Sequence, residues 1–445
     1  MLDRLEQLLR RARAQGAVEA DAFLVEDEIH TIQVRMGQIE SLKHAREHRG
    51  SLRIFTPTGS ASATTSDLSR GSLDRLIDET VALARVAQRD EHSGLPAPET
   101  LACEVPDLDL WDREGHRLSV EAKVERARRA EAAALEADPR VRNSEGSEFY
   151  DRLSRVAYAG TGGFAGEFTL SAFALSVTPV AVENGHMERD YWYSSARKLD
   201  RVESPEAVGR EAARRACRRL GARKQATSEV PVVFEPETAA SLVRALAIAA
   251  SGPSLYRGTS FLVGRLGERL ATPGVTVVDD PLIAGGLGSR PFDGEGLPSR
   301  RTVLLDRGVL ASYLLDTYSA RRLGLGATGH AARETGGGVT VGYTNLYLEP
   351  GPYSPEEIVR SVDRGVYVTE LIGFGINFVT GDYSRGAVGH WIEKGELAYP
   401  VEEITIAGNL RDMYQAIEMV GNDLVFRDQT AAPTVKIARM TVAGQ

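Results

Sequence analysis

The stretch from Leu371 to Leu410, LIGFGINFVTGDYSRGAVGHWIEKGELAYPVEEITIAGNL, constrains this chain more than any other. Strand-forming residues run through it, yet Gly373, Gly375, Gly381 and Gly386 interrupt the first half. Glycines this dense let backbone approach backbone, or a bound peptide, closely. Trp391-Ile392-Glu393, Lys394-Gly395 and Glu396-Leu397-Ala398-Tyr399 read as two strands joined by a tight turn, with glycine where a positive φ is needed. Asn377, Thr380, Asp382, Ser384 and Arg385 place amide, hydroxyl, acid and base at a predicted loop tip, a candidate peptide-binding surface together with Gly373 and Gly375. The same glycines also suit a well-packed β-corner.

At 445 residues the chain exceeds the roughly 250–300 at which single cores stop growing, so two domains are expected. A net charge of −9 argues against binding nucleic acid through phosphate neutralisation. Two cysteines, Cys103 and Cys217, make no disulfide framework and fit a reducing compartment. The N-terminus MLDRLEQLLRRARAQG lacks the apolar core of a signal peptide, and no run approaches a membrane span. These features predict a cytoplasmic protein with no membrane contact.

Apolar spacing predicts helices over residues 2–15, 68–89, 119–137 and 204–220, with long strand-like runs at 22–55 and 141–182. Met36-Gly37 reads as a hairpin turn. His44 and His48 would share a helix face, but on the extended strand expected here they stand about 13 Å apart, too far for one ion. Asp190-Tyr191-Trp192-Tyr193 suits either strand packing or the wall of a cleft. GARKQATSE, residues 221–229, reads as a linker. Beyond it Pro236-Glu237 opens a helix through Ala250, and Arg307-Gly308 marks another hairpin that echoes Lys394-Gly395. The expected architecture is α+β in two domains: a helix-and-sheet domain over 1–223, then a β-rich domain over 229–445.

Few chemical motifs survive scrutiny. Gly324–Gly329 matches GxGxxG but follows a helix instead of a strand, so the dinucleotide reading fails. No GxSxG elbow or HExxH occurs. Asp279, Asp280, Asp293 and Glu295 could form acid–base pairs in a cleft, though Asp293-Gly294-Glu295-Gly296 also has turn chemistry.

The segment VTGDYSRGAVGHWIEKGELAYPVEEITIAGNLRDM, with VGNDL at 420–424 and AAPT at 431–434, resembles the TldD/PmbA family. MERDYWYSSAR from Met187, YRGTSFL from Tyr256, PFDGEGLPSRRTVLLDRGVLASYLLDTYSARRLG from Pro291 and LYLEPG from Leu346 agree, so the resemblance spans the chain. Members have been called modulators of DNA gyrase and are assigned as metallopeptidases. Catalytic members carry an HExxxH helix just before the YRGTSFL segment. Counted back without gaps, those positions fall here at Val243, Arg244 and Ile248, and residues 234–265 contain no histidine. Zinc needs three or four N, S or O donors, and an arginine repels a cation.

The resemblance therefore implies a PmbA (TldE)-like chain with no catalytic or metal site of its own. It implies a heterodimer with a TldD-like partner that holds the zinc, cleaving unfolded or leader peptides. In that reading the Gly373 to Gly389 surface grips an extended peptide by strand addition. A regulator that binds gyrase protein, and a stand-alone homodimer with altered chemistry, remain as alternatives.

Overall fold

The computed structural model describes residues 1–334 and 336–444. Two strand systems dominate it, and the α+β class read from the sequence is what it has. The chain opens with helix α1 (Leu2–Ala14), then strands β1 (Glu19–Arg35), β2 (Gln38–Phe55) and β3 (Ser60–Thr65). Helix α2 (Arg70–Val86), the short α3 (Arg113–His116) and α4 (Val120–Ala137) follow. Next come β4 (Val141–Gly160), β5 (Ala165–Glu183), β6 (His186–Arg189), β7 (Trp192–Ala196) and α5 (Pro205–Arg218). All seven strands share one antiparallel sheet, ordered β3-β2-β1-β4-β5-β6, with β7 also on β5.

One face of this sheet carries the helices in two separate pairs. Ala20, Ala22 and Leu24 of β1 pack under α1 and α2, and Ile32 and Val34 pack under α4 and α5. Met36 and Gly37 turn β1 into β2 with φ of 48° and 75°, and both turn N–H groups donate to the buried carboxylate of Glu131 on α4, at 2.9 and 2.8 Å. The hairpin tip is thereby fixed to a helix. Helices α4 and α5 meet along Ala127, Ala130 and Ala134 against Ala212, Ala213 and Ala216, small residues that allow a close crossing.

The second strand system begins at β8 (Ser228–Phe234). It pairs in parallel with Arg364–Ile372 and antiparallel with Val435–Ala443. Asp382–Glu393 and Glu396–Asn409 continue the sheet, and Glu396–Asn409 returns to pair with Val435–Ala443, closing a barrel. The expected hairpin at Lys394-Gly395 is present, with φ of 51° and 80°. The Arg307-Gly308 hairpin lies in a different, five-stranded sheet built on Val277–Asp279, so the two similar hairpins do not occupy equivalent places. Helix α6 (Pro236–Ala249) packs against strands of both sheets and is buried on most of its surface. Among the described residues no helix is long and apolar enough to cross a membrane.

The two halves meet on the helix-free face of the first sheet through buried charge. Asp21 on β1 is fully buried and holds Arg53 (3.0 Å) from β2 and Arg333 (2.7 Å) from the second half. Arg53 also reaches Glu295 at 3.0 Å. Burial alone would raise the Asp21 carboxyl, but Arg333 and Arg53 outweigh it and hold the group below the ordinary range.

Two outcomes follow from this packing. Asp21→Asn should lose about 3–5 kcal/mol in denaturant unfolding at pH 7, because two guanidiniums are left short of charge. Since the folded-state acid is depressed, that contribution is full above about pH 4 and fades as pH falls through the folded value, so the gap between wild type and variant should close in acid. Gly209→Ala should also destabilise: a Cβ there would lie 2.2 Å from the Ala130 carbonyl oxygen. Separating α4 from α5 costs about 1–3 kcal/mol, more than the roughly 1 kcal/mol of helix propensity gained. A lowered urea midpoint at unchanged slope would register it.

Candidate functional site

Helix α6 starts at Pro236, a residue suited to the first helical position. Glu237, Thr238, Ser241 and Arg244 fall on one face at helical spacing and line a cleft of about 220 Å³. The opposite wall comes from the first half of the chain: Asp190, Tyr191, Trp192, Tyr193 and Arg215. Thr369, Glu370, Leu371 and Arg385 complete it from the barrel. The aromatic run thus serves as a cleft wall at the seam between the halves.

The wall is rigid. Trp192 lies between two guanidiniums, Arg427 at 4.3 Å and Arg215 at 5.0 Å from its ring centroid, and the Tyr191 and Tyr193 rings stack at 6.2 Å. Tyr193 Oη donates to Glu237 Oε2 at 3.0 Å. Burial pushes up both the Glu237 carboxyl and the Tyr193 hydroxyl.

The acids here already have partners. Asp190 pairs with Arg215 (3.6 Å), Glu237 with Arg427 (3.6 Å) and Glu370 with Arg219 (2.5 Å). Arg244 and Arg385 form no ion pair among the described residues, and the single hydrogen bond of Arg385 runs to the Leu371 carbonyl at 3.3 Å. Tyr383 Oη and Arg385 Nε, both buried, lack a hydrogen-bond partner among the described residues. The cleft therefore presents an aromatic wall and two unneutralised guanidiniums.

The positions at which the resemblance places a zinc motif do not fit the ion. Val243 is packed in the core, Arg244 lines the cleft and Ile248 is partly exposed at the end of α6. Two offer no donor atom and the third is a cation.

Of the loop residues singled out from the sequence, Arg385 alone reaches the cleft lining. Gly373, Gly375, Asn377, Thr380, Asp382 and Ser384 are exposed. Their polar groups largely satisfy one another: Thr380 Oγ1 donates to Asp382 Oδ2 at 2.6 Å, and Asn409 Nδ2 to Asp382 Oδ1 at 3.1 Å. Gly375 is required by close approach, since a Cβ there would overlap the Ser384 carbonyl. Asp382–Glu393 is paired on both sides from Gly386 onward, so strand addition is closed off along Gly386–Gly389.

Nor do the other acids form a reaction centre. Asp279 accepts from the Thr344 N–H and hydroxyl, both at 2.6 Å, and faces His330 at 3.1 Å. Asp293 caps Glu295 and Leu297 N–H groups, and burial lifts it to about 6. Glu295 is spent on Arg53 and the Thr317 N–H. Asp280 caps the Leu282 N–H. Gly324 terminates a helix in the left-handed conformation, as the failed dinucleotide context implies. Sequence reasoning missed Glu237 and Arg215 as cleft residues; the Pro236-Glu237 helix start placed Glu237 on α6, but nothing local showed which face would meet Tyr193.

Comparison with known proteins gives the family. Three family models match in order: PmbA/TldA metallopeptidase domain 1 over residues 20–84, the central domain over 114–220 and the C-terminal domain over 227–444. The chain is 37% identical over 415 residues to metalloprotease PmbA of Escherichia coli O157:H7, covering 93% of this chain and 90% of that one. It is 32% identical to a PmbA homologue of Haemophilus influenzae over the same shares. Its fold matches a Bacteroides thetaiotaomicron protein described as a modulator of DNA gyrase, with a TM-score of 0.92, 27% identity and coverage of 100% and 98%. TldE of Thermococcus kodakarensis, at 23% identity, shares the fold with a TM-score of 0.90 over 99% and 100%. With all three domains matched and near-complete coverage of curated relatives, the chain belongs to the PmbA/TldD metallopeptidase family, on its PmbA-like side that lacks the HExxxH motif.

Proposed function

We propose that this chain is the non-catalytic subunit of a two-chain metallopeptidase, without a catalytic zinc on α6, supporting a partner of the same family that carries the HExxxH helix. The observation that supports this reading is the sequence of α6, in which Val243, Arg244 and Ile248, the residues the resemblance aligns with a zinc motif, offer no ligand. Zinc-bound water and a general-base glutamate belong to the partner in this scheme. This chain's residues bind and orient an extended peptide.

The cleft suits that task. Strand β8 leaves its neighbour at Val368, so Thr369–Ile372 is paired on one side only among the described strands. Thr369, Glu370 and Leu371 border the cleft there. Main-chain groups on that open edge can take an extended backbone, which gives affinity without sequence preference. Tyr191 and Tyr193 offer apolar area at low entropic cost. Arg244 and Arg385 can receive a peptide carboxylate through charge-assisted hydrogen bonds.

Two measurements test this. The chain alone should leave an unfolded peptide such as denatured casein intact, and should raise its turnover when mixed with an HExxxH-bearing family member; comparable cleavage by the chain alone overturns the supporting role. In the mixture, Arg244→Ala or Arg385→Ala should raise KM for a peptide bearing a free carboxylate about tenfold, the equivalent of roughly 1.4 kcal/mol for a lost charge-assisted contact. A fall in kcat at unchanged KM would refute the carboxylate assignment.

A further inference from the structure

The helix-covered face of β1 changes character along its length. Ala20, Ala22 and Leu24 lie under one helix pair, and Ile32 and Val34 under the other. Between them the same face presents Glu26, Glu28 and His30. The neighbouring strand continues the interruption: His44, Arg46 and His48 of β2 stand opposite His30, Glu28 and Glu26. On the other side Asp151 of β4 stands opposite His30. A mainly polar floor thus separates two apolar ones, with Leu153 of β4, opposite Glu28, as its apolar member, and His116 of α3 leans over it.

The side chains converge. His30 and His44 stack with ring centroids 4.3 Å apart. His44 Nε2 is 2.9 Å from Glu28 Oε1, and His116 Nε2 is 4.0 Å from Glu28 Oε2. One donor atom from each of Glu28, His30 and His44 falls within 4.8 Å of the others. His30 Nδ1 lies 3.1 Å from Asp151 Oδ1, and Asp151 is itself anchored by Lys123 at 2.5 Å. A carboxylate on one imidazole nitrogen directs the other towards a metal, the usual outer support of a histidine ligand. His116 Nδ1 is buried with no hydrogen-bond partner among the described residues.

We propose that Glu28, His30, His44 and His116 form a zinc site of this chain, separate from the α6 position where the family motif would lie. Three imidazoles and one carboxylate are a complete tetrahedral set. Ligands at about 2.0–2.1 Å put donor atoms roughly 3.3 Å apart, so the three donors already within 4.8 Å draw together, His116 moves in from α3 to complete the set, and Arg46, now 3.2 Å from Glu28, swings into solvent. All four positions are filled by protein, which makes the site structural: the ion ties the β1–β2 hairpin and α3 across the gap between the helix pairs.

The test uses the full chain, freed of metal by chelator and titrated with zinc alone, with cobalt(II) as a spectroscopic stand-in. The expected result is one zinc per chain, a raised melting temperature, and the intense visible bands of tetrahedral cobalt. His44→Ala and Glu28→Gln should each weaken binding at least tenfold, while His186→Ala, on an exposed strand elsewhere, leaves it unchanged. Because the His44 side chain is 43% exposed, its variant keeps the fold, which circular dichroism verifies. Substoichiometric zinc, a weak octahedral cobalt spectrum, or affinity indifferent to both variants overturns the site. None of these readouts depends on peptide cleavage, so failure here leaves the supporting-subunit reading standing, and failure there leaves this one.

Discussion

A strand of twenty residues rises about 66 Å, whereas a helix of eighteen spans only about 27 Å. Strands β4 and β5, at 20 and 19 residues, therefore outrun any single layer of helices this chain can lay on them. The observed solution is two helix pairs placed end to end, each over its own patch of alanine, leucine and valine. Most side chains between the pairs are polar, because a broad apolar face there would meet water. The row of glutamates and histidines is the direct result of that mismatch in length.

The opposite face of the same sheet solves a different problem. There the second half of the chain docks, and buried charge sets the register. Asp21, Arg53, Arg333 and Glu295 interlock on that face, while Glu235, ahead of α6, reaches the helix layer and holds Arg215 and Arg218 of α5. Breaking such pairs is far costlier than forming them is favourable, so they specify one relative placement more than they add stability. The cleft opens along this seam, which is why its walls come from both halves. It is also why guanidiniums crowd it: most are committed to the seam, and Arg244 and Arg385 are the two left over.

Much of the fold was legible in the sequence. Helical periodicity located α2, α4 and α5 to within a few residues, and each X-Gly turn foretold a hairpin. The pairing of distant strands was not legible, because alternation says which face is buried and not which strand lies beside it. The histidines show the difference. Considered along one strand, His44 and His48 are too far apart to share an ion. Folded about Met36-Gly37, with a bulge at Gln33/Val34, His44 falls opposite His30, whereas the turn alone would have paired His30 with Lys43. His116 and Asp151 could not be found this way, since they arrive from α3 and β4 across long sequence separation. Likewise the glycine-rich loop announced backbone crowding correctly, but its polar residues proved to be bonded to one another. The residue that mattered for the cleft, Arg385, sits where the loop has already become barrel strand.

Closure of the barrel depends on strands at opposite ends of the second half. Strand β8 lies between Arg364–Ile372 and Val435–Ala443, so neither of its neighbours exists until most of the chain has been made. During synthesis the amino-terminal sheet can assemble from local hairpins, whereas β8 and the apolar α6 behind it must wait, exposed, for the last strand to emerge. Contacts this remote in sequence form slowly, and partly folded chains with bare strand edges are prone to associate. The order of translation thus leaves the newborn protein with one finished half and one open sheet, and Val435–Ala443 acts as the latch.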